Sequence, residues 1–459
     1  MEKESAYSSQ AHTSQLTEGS AALDLLKRGQ APGRGELLRE ITTGLDPLTG
    51  FLHDQYLEDY IARGGSKIKF VTGRSGSGKT HFLMRMLDEA DGSGFLTVSF
   101  SAREVWLHDF REIYLEILRQ CDIEHVLEGC ARQIVSELGY DPGQIGEGRS
   151  FMDYLSERGE ADPISRGEIR SALRAYFTKN PLLDNNFACC CSILTGGILG
   201  HPVLEPANRD LLLSFLLGDK TVKLSQLRSL GLSPVRITKF NARYLLRSLA
   251  EVVHLAGYAG IVVAVDDLEM LMNRAAGSAM RYTKLRRNDA FESIRQLIDD
   301  IDNMRHILFL FGFDRDLMDN ESVGIKSYQA LWMRIQNEVV STRFNRFADI
   351  LDLDRFADEF YQGDVLIEMS QKLAAAYAAA GIPASPLTEE EIGELLERSR
   401  FGGIGLPYLV GRAVVEQRLL PRAKRSYRFW GANGNNPNFP RSRTYASFCA
   451  KGLRGSDPK

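Results

Sequence analysis

Ser66-Lys67-Ile68-Lys69-Phe70-Val71-Thr72-Gly73-Arg74-Ser75-Gly76-Ser77-Gly78-Lys79-Thr80 decides the fold. Its first half alternates and is rich in apolar and β-branched residues, so it reads as a strand. The second half is a GxxxxGK[ST] loop, in which small residues let backbone N–H groups curl around phosphates. Apolar residues then return at Phe82, Leu83, Met86 and Leu87, the stripe of a buried helix. A strand, a glycine loop and a helix in that order predict a phosphate cradle at a helix N-terminus. Gly73, Arg74, Ser75, Gly76, Ser77, Gly78, Lys79 and Thr80 are its candidate residues, with Lys79 reaching the β/γ-phosphates and Thr80 offering a ligand to Mg²⁺.

Working outward, further strands are expected at residues 95–100, 261–265, 307–311 and 350–353. They are continuously apolar and alternate with helical stripes, which predicts a parallel sheet covered on both faces. Between residues 121 and 235 the signals are helical, broken by Gly and Pro. The expected organisation is a disordered leader (1–20), the first part of an ATPase domain (21–120), a helical insertion (121–235) and the second part of the domain (236–354). A helical lid (355–420) and a basic aromatic tail (421–459) follow. Within the lid, Thr388 and Glu391 have the spacing of a capping box.

The strand at 261–265 runs into Asp266-Asp267, and an acid at the end of such a strand can hold a metal while its neighbour orients the attacking water. Asp266 is therefore the candidate metal residue with Thr80. Asp267 and Glu269 are candidates for the water, although Asp is shorter than the Glu usual at that place and Glu269, two residues on, reads equally as a cap or surface acid. Past the strand at 307–311, Asp314 stands where a γ-phosphate sensor would be and is unsuited beside an anion, so either Arg315 supplies that contact or the role is lost. Arg334 is a candidate catalytic arginine reaching a neighbouring subunit, with Arg343 a second.

The chain has 459 residues with 56 Lys and Arg against 60 Asp and Glu, a net charge of −4 and a hydrophobic share of 44%. That is the composition of a soluble globular protein and excludes a disordered chain. No apolar run is long enough for a membrane span, and the polar start does not read as a secretory signal, so a cytoplasmic protein is expected. Six cysteines without a CxxC pair read as buried thiols. Residues 421–459 carry nine Lys or Arg and one acid, +8, which leaves −12 on the rest. Aromatic residues interleave with those cations, a pattern suited to nucleic acid or to an acidic protein partner. A second basic stretch, residues 274–287, carries Arg274, Arg281, Lys284, Arg286 and Arg287 and offers DNA another contact.

Several stretches together carry a family resemblance: residues 26–35 (LKRGQAPGRG), the phosphate loop, residues 242–250 leading through Ala256-Gly257-Tyr258 to the acidic strand, and residues 327–332 (SYQALW). From about Ala22 to Val415 the chain resembles the BREX phage-defence ATP-binding proteins of the BrxC/BrxD type, closest to BrxD-like ones. The resemblance implies an α/β P-loop NTPase fold of the ASCE/AAA+-like kind, ATP and Mg²⁺ as cofactors, a homo-oligomer, and other defence-system proteins as partners. It implies an ATPase that regulates such a system or moves on DNA. Asp267 in place of Glu suggests slow turnover and an alternative, a STAND-like nucleotide-gated switch that scaffolds partners. A small-molecule kinase is disfavoured by the long insertion and lid. The family's lid has Pro followed by Arg, whereas here Pro407 precedes Tyr408 and Arg412 comes a turn later.

Overall fold

The computed structural model describes residues 22, 24–26, 30–146, 148–272, 281–336 and 343–415. The leader 1–20, Arg274 and the tail 421–459 lie outside the described residues.

Among the described residues, five strands form one parallel sheet: β1 (Ser66–Gly73), β2 (Leu96–Ser101), β3 (Ile261–Asp266), β4 (Ile307–Asp314) and β5 (Ile350–Asp352), in the order β2-β3-β4-β1-β5. All five expected strands are present within a few residues of their predicted bounds. The side chains of the inner strands β3 and β4 are buried on both faces: Val262, Val263, Phe309 and Leu310 have no exposed surface. A polar residue in such a strand would lose its water without a partner, which is why these runs are apolar. β4 inserts between β1 and β3, and its register places Asp314 opposite Gly73, the first glycine of the loop. β2 pairs with β3 so that Ser101 faces Asp266. The carboxyl ends of four strands thus meet at one edge of the sheet.

The stripe Phe82, Leu83, Met86, Leu87 is fully buried on the helix Lys79–Gly92 and packs onto the sheet. Between residues 123 and 228 the described structure is helical, including Ile123–Glu137 and Asn185–Leu199, and its buried residues join the same apolar cluster as β2 and β3. Four of the cysteines, Cys121, Cys130, Cys190 and Cys191, are buried there, and burial pushes the thiols of Cys121 and Cys130 up to about 12, so they stay protonated. No described helix is long and apolar enough to cross a membrane.

After β5, the helices Leu353–Phe360, Gly363–Ala379, Glu389–Phe401 and Leu406–Val415 form the C-terminal layer. Thr388 and Glu391 make the reciprocal bonds of a capping box, each side chain taking the other's backbone N–H.

Candidate nucleotide site

The loop between β1 and the Lys79–Gly92 helix needs its glycines. Gly76 (φ 78°) and Gly78 (φ 92°) sit in the left-handed region, and a methyl group on Gly73 would lie 2.4 Å from Ser77 Oγ. Gly78 caps the helix without a side chain of its own, so the first-turn N–H groups face the cleft uncovered. Ser77 Oγ is buried and has no hydrogen-bond partner among the described residues. These are the features of an anion cradle.

Lys79 is buried and its Nζ donates to the carbonyls of Gly73 (3.3 Å) and Arg74 (3.0 Å) and to Asp314 Oδ1 at 2.6 Å. The last contact follows from the register of β1 and β4. It places a carboxylate on the ammonium that the loop would present to phosphate. Arg315, the sensor candidate, is drawn instead to Asp352 of β5 and lies 3.9 Å from Asp354.

Thr80 Oγ1 donates to Asp266 Oδ2 at 2.5 Å, joining the helix N-terminus to the end of β3 across 186 positions of sequence. Burial pushes the Asp266 carboxyl up, and the Thr80 hydroxyl offsets only part of that. A half-buried carboxylate and a hydroxyl in contact form a hard all-oxygen donor set of the kind Mg²⁺ takes, and the carboxylate lacks a full countercharge, so the residues fit the ion.

Asp267 adopts a left-handed conformation (φ 60°), which swings its side chain back over β2. There Ser101 Oγ donates to it at 2.7 Å and Arg103 contacts it at 3.0 and 3.1 Å. Burial would raise its carboxyl, but Arg103 and Ser101 outweigh burial and hold it below the usual carboxylate range. The same reversal and the turn Leu268–Leu271 direct Glu269 into the cleft, where its Oε2 accepts from Asp314 N–H at 3.2 Å. Burial, with the Asp314 and Asp267 carboxylates nearby, pushes Glu269 up to about 7.

The cleft has a volume of about 790 Å³. Its polar end is made by the phosphate loop, Asp266, Asp267, Glu269 and Asp314, and its apolar wall by Ile41, Leu45, Phe356, Tyr361, Leu373 and Tyr377. Pro407, Tyr408 and Arg412 line it from the helix Leu406–Val415, the last one described. That layer is stitched to the loop: Gly405 N–H donates to Ser75 O at 2.8 Å and Tyr408 N–H to Gly76 O at 3.2 Å. Arg74 bonds Asp354 and reaches the carbonyls of Ser399 (2.6 Å) and Gly402 (2.8 Å).

Arg334 does not line the cleft. Its guanidinium grips both oxygens of Asp299 at 2.9 and 3.1 Å, next to Arg295 and Glu292. Sequence reasoning overlooked Arg103, the acid Asp354 behind Arg74, and the contribution of residues 25–45 to the cleft. Ser101-Ala102-Arg103 at the end of β2 was the one available signal, and it means something only once β2 is known to pair with β3.

The sheet and this loop make an α/β protein whose architecture is compatible with a P-loop NTPase. A family model described as BREX system ATP-binding protein BrxC/D matches residues 16–414, and the chain belongs to that family. No curated protein and no solved structure matches it.

Proposed function

We propose that the chain is a BrxD-like, AAA+-related ATPase of the ASCE kind with slow turnover, acting as a regulator or DNA-associated motor or loader in a bacterial anti-phage defence system. The observation that carries the hydrolytic reading is Glu269, a half-buried carboxyl held in the cleft and raised to about 7 beside the phosphate cradle. A strand between the loop strand and the metal strand supports the ASCE class.

In this reading the loop N–H groups and Lys79 bind the phosphates, Thr80 and Asp266 hold Mg²⁺, and the apolar wall takes the base. The ion, when bound, supplies charge neutralisation for the phosphoryl oxygens. Glu269 accepts the proton of the attacking water, since a base poised near 7 combines availability with driving force. Asp267, neutralised by Arg103, positions that arginine at the mouth of the cleft and takes no proton. Arg334 would leave Asp299 to reach a neighbouring subunit in a homo-oligomer.

One observation favours the slower, switch-like alternative. Asp314 on Lys79 is a competitor that nucleotide has to displace, so binding would change the free protein's own contacts. An ATP turnover assay with and without DNA, alongside sizing with and without ATP, tests the function. Turnover lost in Glu269→Gln supports the ATPase, whereas ATP binding and assembly with no turnover in the native chain would leave only the switch.

A further inference from the structure

Residues 102–109, which follow β2, and residues 281–286, which open the helix Lys284–Asp300, meet and build a second surface. Tyr282 ties them together: Leu107 N–H donates to its hydroxyl at 3.0 Å, and the hydroxyl donates to Val105 O at 3.3 Å. Trp106 packs edge-on against Tyr282 and His108, with centroids 5.2 and 5.0 Å apart, and the Arg286 guanidinium lies 4.7 Å over the Trp106 ring. Lys239 sits 5.4 Å over the ring of Phe240, which is 74% exposed. Burial, then Arg286 and more weakly Lys239, lower the His108 imidazole against the opposing Asp109 and Asp289, which brings Lys239 to the same patch.

The charge here runs against local physics. The helix Lys284–Asp300 begins with Lys284, Arg286 and Arg287 and has no acid in its first turn, although a helix N-terminus already carries partial positive charge. Lys239, Arg281, Lys284 and Arg286 have no ion-pair partner among the described residues, whereas Arg85, Arg103, Arg295 and Arg334 all pair with acids. Four uncompensated cations beside two accessible aromatic groups, on a chain of net charge −4, suit an extended anion that also carries planar rings.

We propose that this surface binds single-stranded nucleic acid, with Lys239, Arg281, Lys284 and Arg286 on phosphates and the Trp106–Arg286 stack and Phe240 on bases. The inference rests on the DNA-associated reading and gives it a location. Arg103, three positions before Trp106 on the same loop, would connect that surface to the cleft.

The test is fluorescence anisotropy of the full chain with a 30-nucleotide oligothymidylate and a 30-base-pair duplex across a salt series. Lys239, Arg281, Lys284 and Arg286 are changed together to Gln, and Phe240→Ala is made separately; both sets of side chains are exposed, and unchanged ATP affinity checks the fold. The fourfold variant should lower the salt slope for the single strand by about 2 to 3, at ~0.7 per lost phosphate contact, and weaken binding at least 100-fold. Phe240→Ala should cost roughly 5- to 100-fold for the single strand and little for the duplex. Unchanged slope and affinity in the fourfold variant would overturn the surface, as would equal losses on both probes in Phe240→Ala. If deleting residues 422–459 abolishes binding while the fourfold variant retains it, the surface fails and the DNA reading stands. Binding of neither probe by the native chain overturns both.

Discussion

Asp314→Asn should tighten ATP binding about tenfold. In the free protein the Asp314 carboxylate sits 2.6 Å from Lys79 Nζ and is 29% exposed at its side chain. A phosphate oxygen bound on the other side of that ammonium would be roughly 5–6 Å from the carboxylate, allowing ~2.8 Å for the second contact. One pair of like charges at that separation repels by about 1.5 kcal/mol at an effective dielectric of ~40, between the values for a protein surface and for water. That energy is roughly a factor of ten in Kd. Asn keeps the volume and an oxygen that accepts from Lys79, so the loop keeps its shape while the repulsion goes. Titration calorimetry of both proteins with ATP reads the difference directly. Weaker binding in Asp314→Asn would refute the reasoning, because it would mean that the carboxylate serves the ligand, for instance by holding its cation, and does not compete with it. Equal affinity would show that nucleotide binding leaves the pair undisturbed.

Glu269→Gln should reduce turnover by at least about 100-fold, the scale of a lost general base, while ATP affinity is kept. Because Glu269 is raised to about 7 and acts only when deprotonated, the native rate should fall as pH drops through 7, and a stopped assay from pH 5.5 to 8.5 should show that limb. Asp267→Glu should change turnover only a few-fold, since Ser101 and Arg103 already occupy both oxygens of this carboxylate; a large gain would reassign the water to it. Gly405→Ala places a methyl group 2.3 Å from Ser77 N, so the helix Leu406–Val415 has to lift from the loop and lose its bonds to Ser75 O and Gly76 O. Two hydrogen bonds at ~1 kcal/mol each set the scale, and faster hydrogen exchange over residues 404–408 with weaker ATP binding should report it.

Local rules made the strand, loop and helix of residues 66–87 legible, because apolar patterning and glycine placement act over neighbouring residues. The capping box at Thr388 and Glu391 was readable for the same reason. Asp266 was legible as an acid ending an apolar strand, and the fold brings it to Thr80. Residue spacing left the direction of Glu269 open, and the left-handed Asp267 decides it: φ 60° in a non-glycine residue is uncommon and has no sequence signature. The Lys79–Asp314 pair depends on a register between strands more than 200 positions apart, and Arg103 on Asp267 depends on the pairing of β2 with β3. Both are settled by sheet topology, which residue spacing does not encode. The apolar wall is likewise assembled from residues 41–45 and 353–377, each run ordinary when read alone.

ATP binding by Lys79→Ala, compared with the native chain in the same titration, tests the central claim most directly. Lys79 is the ammonium at the centre of the cradle, and it also pairs with Asp314 and two loop carbonyls, so circular dichroism has to show that the variant is folded. The account predicts native secondary structure with ATP binding lost or weakened at least 100-fold, the effect of removing a charge-assisted phosphate contact. A folded Lys79→Ala protein that binds ATP as tightly as the native chain would contradict it.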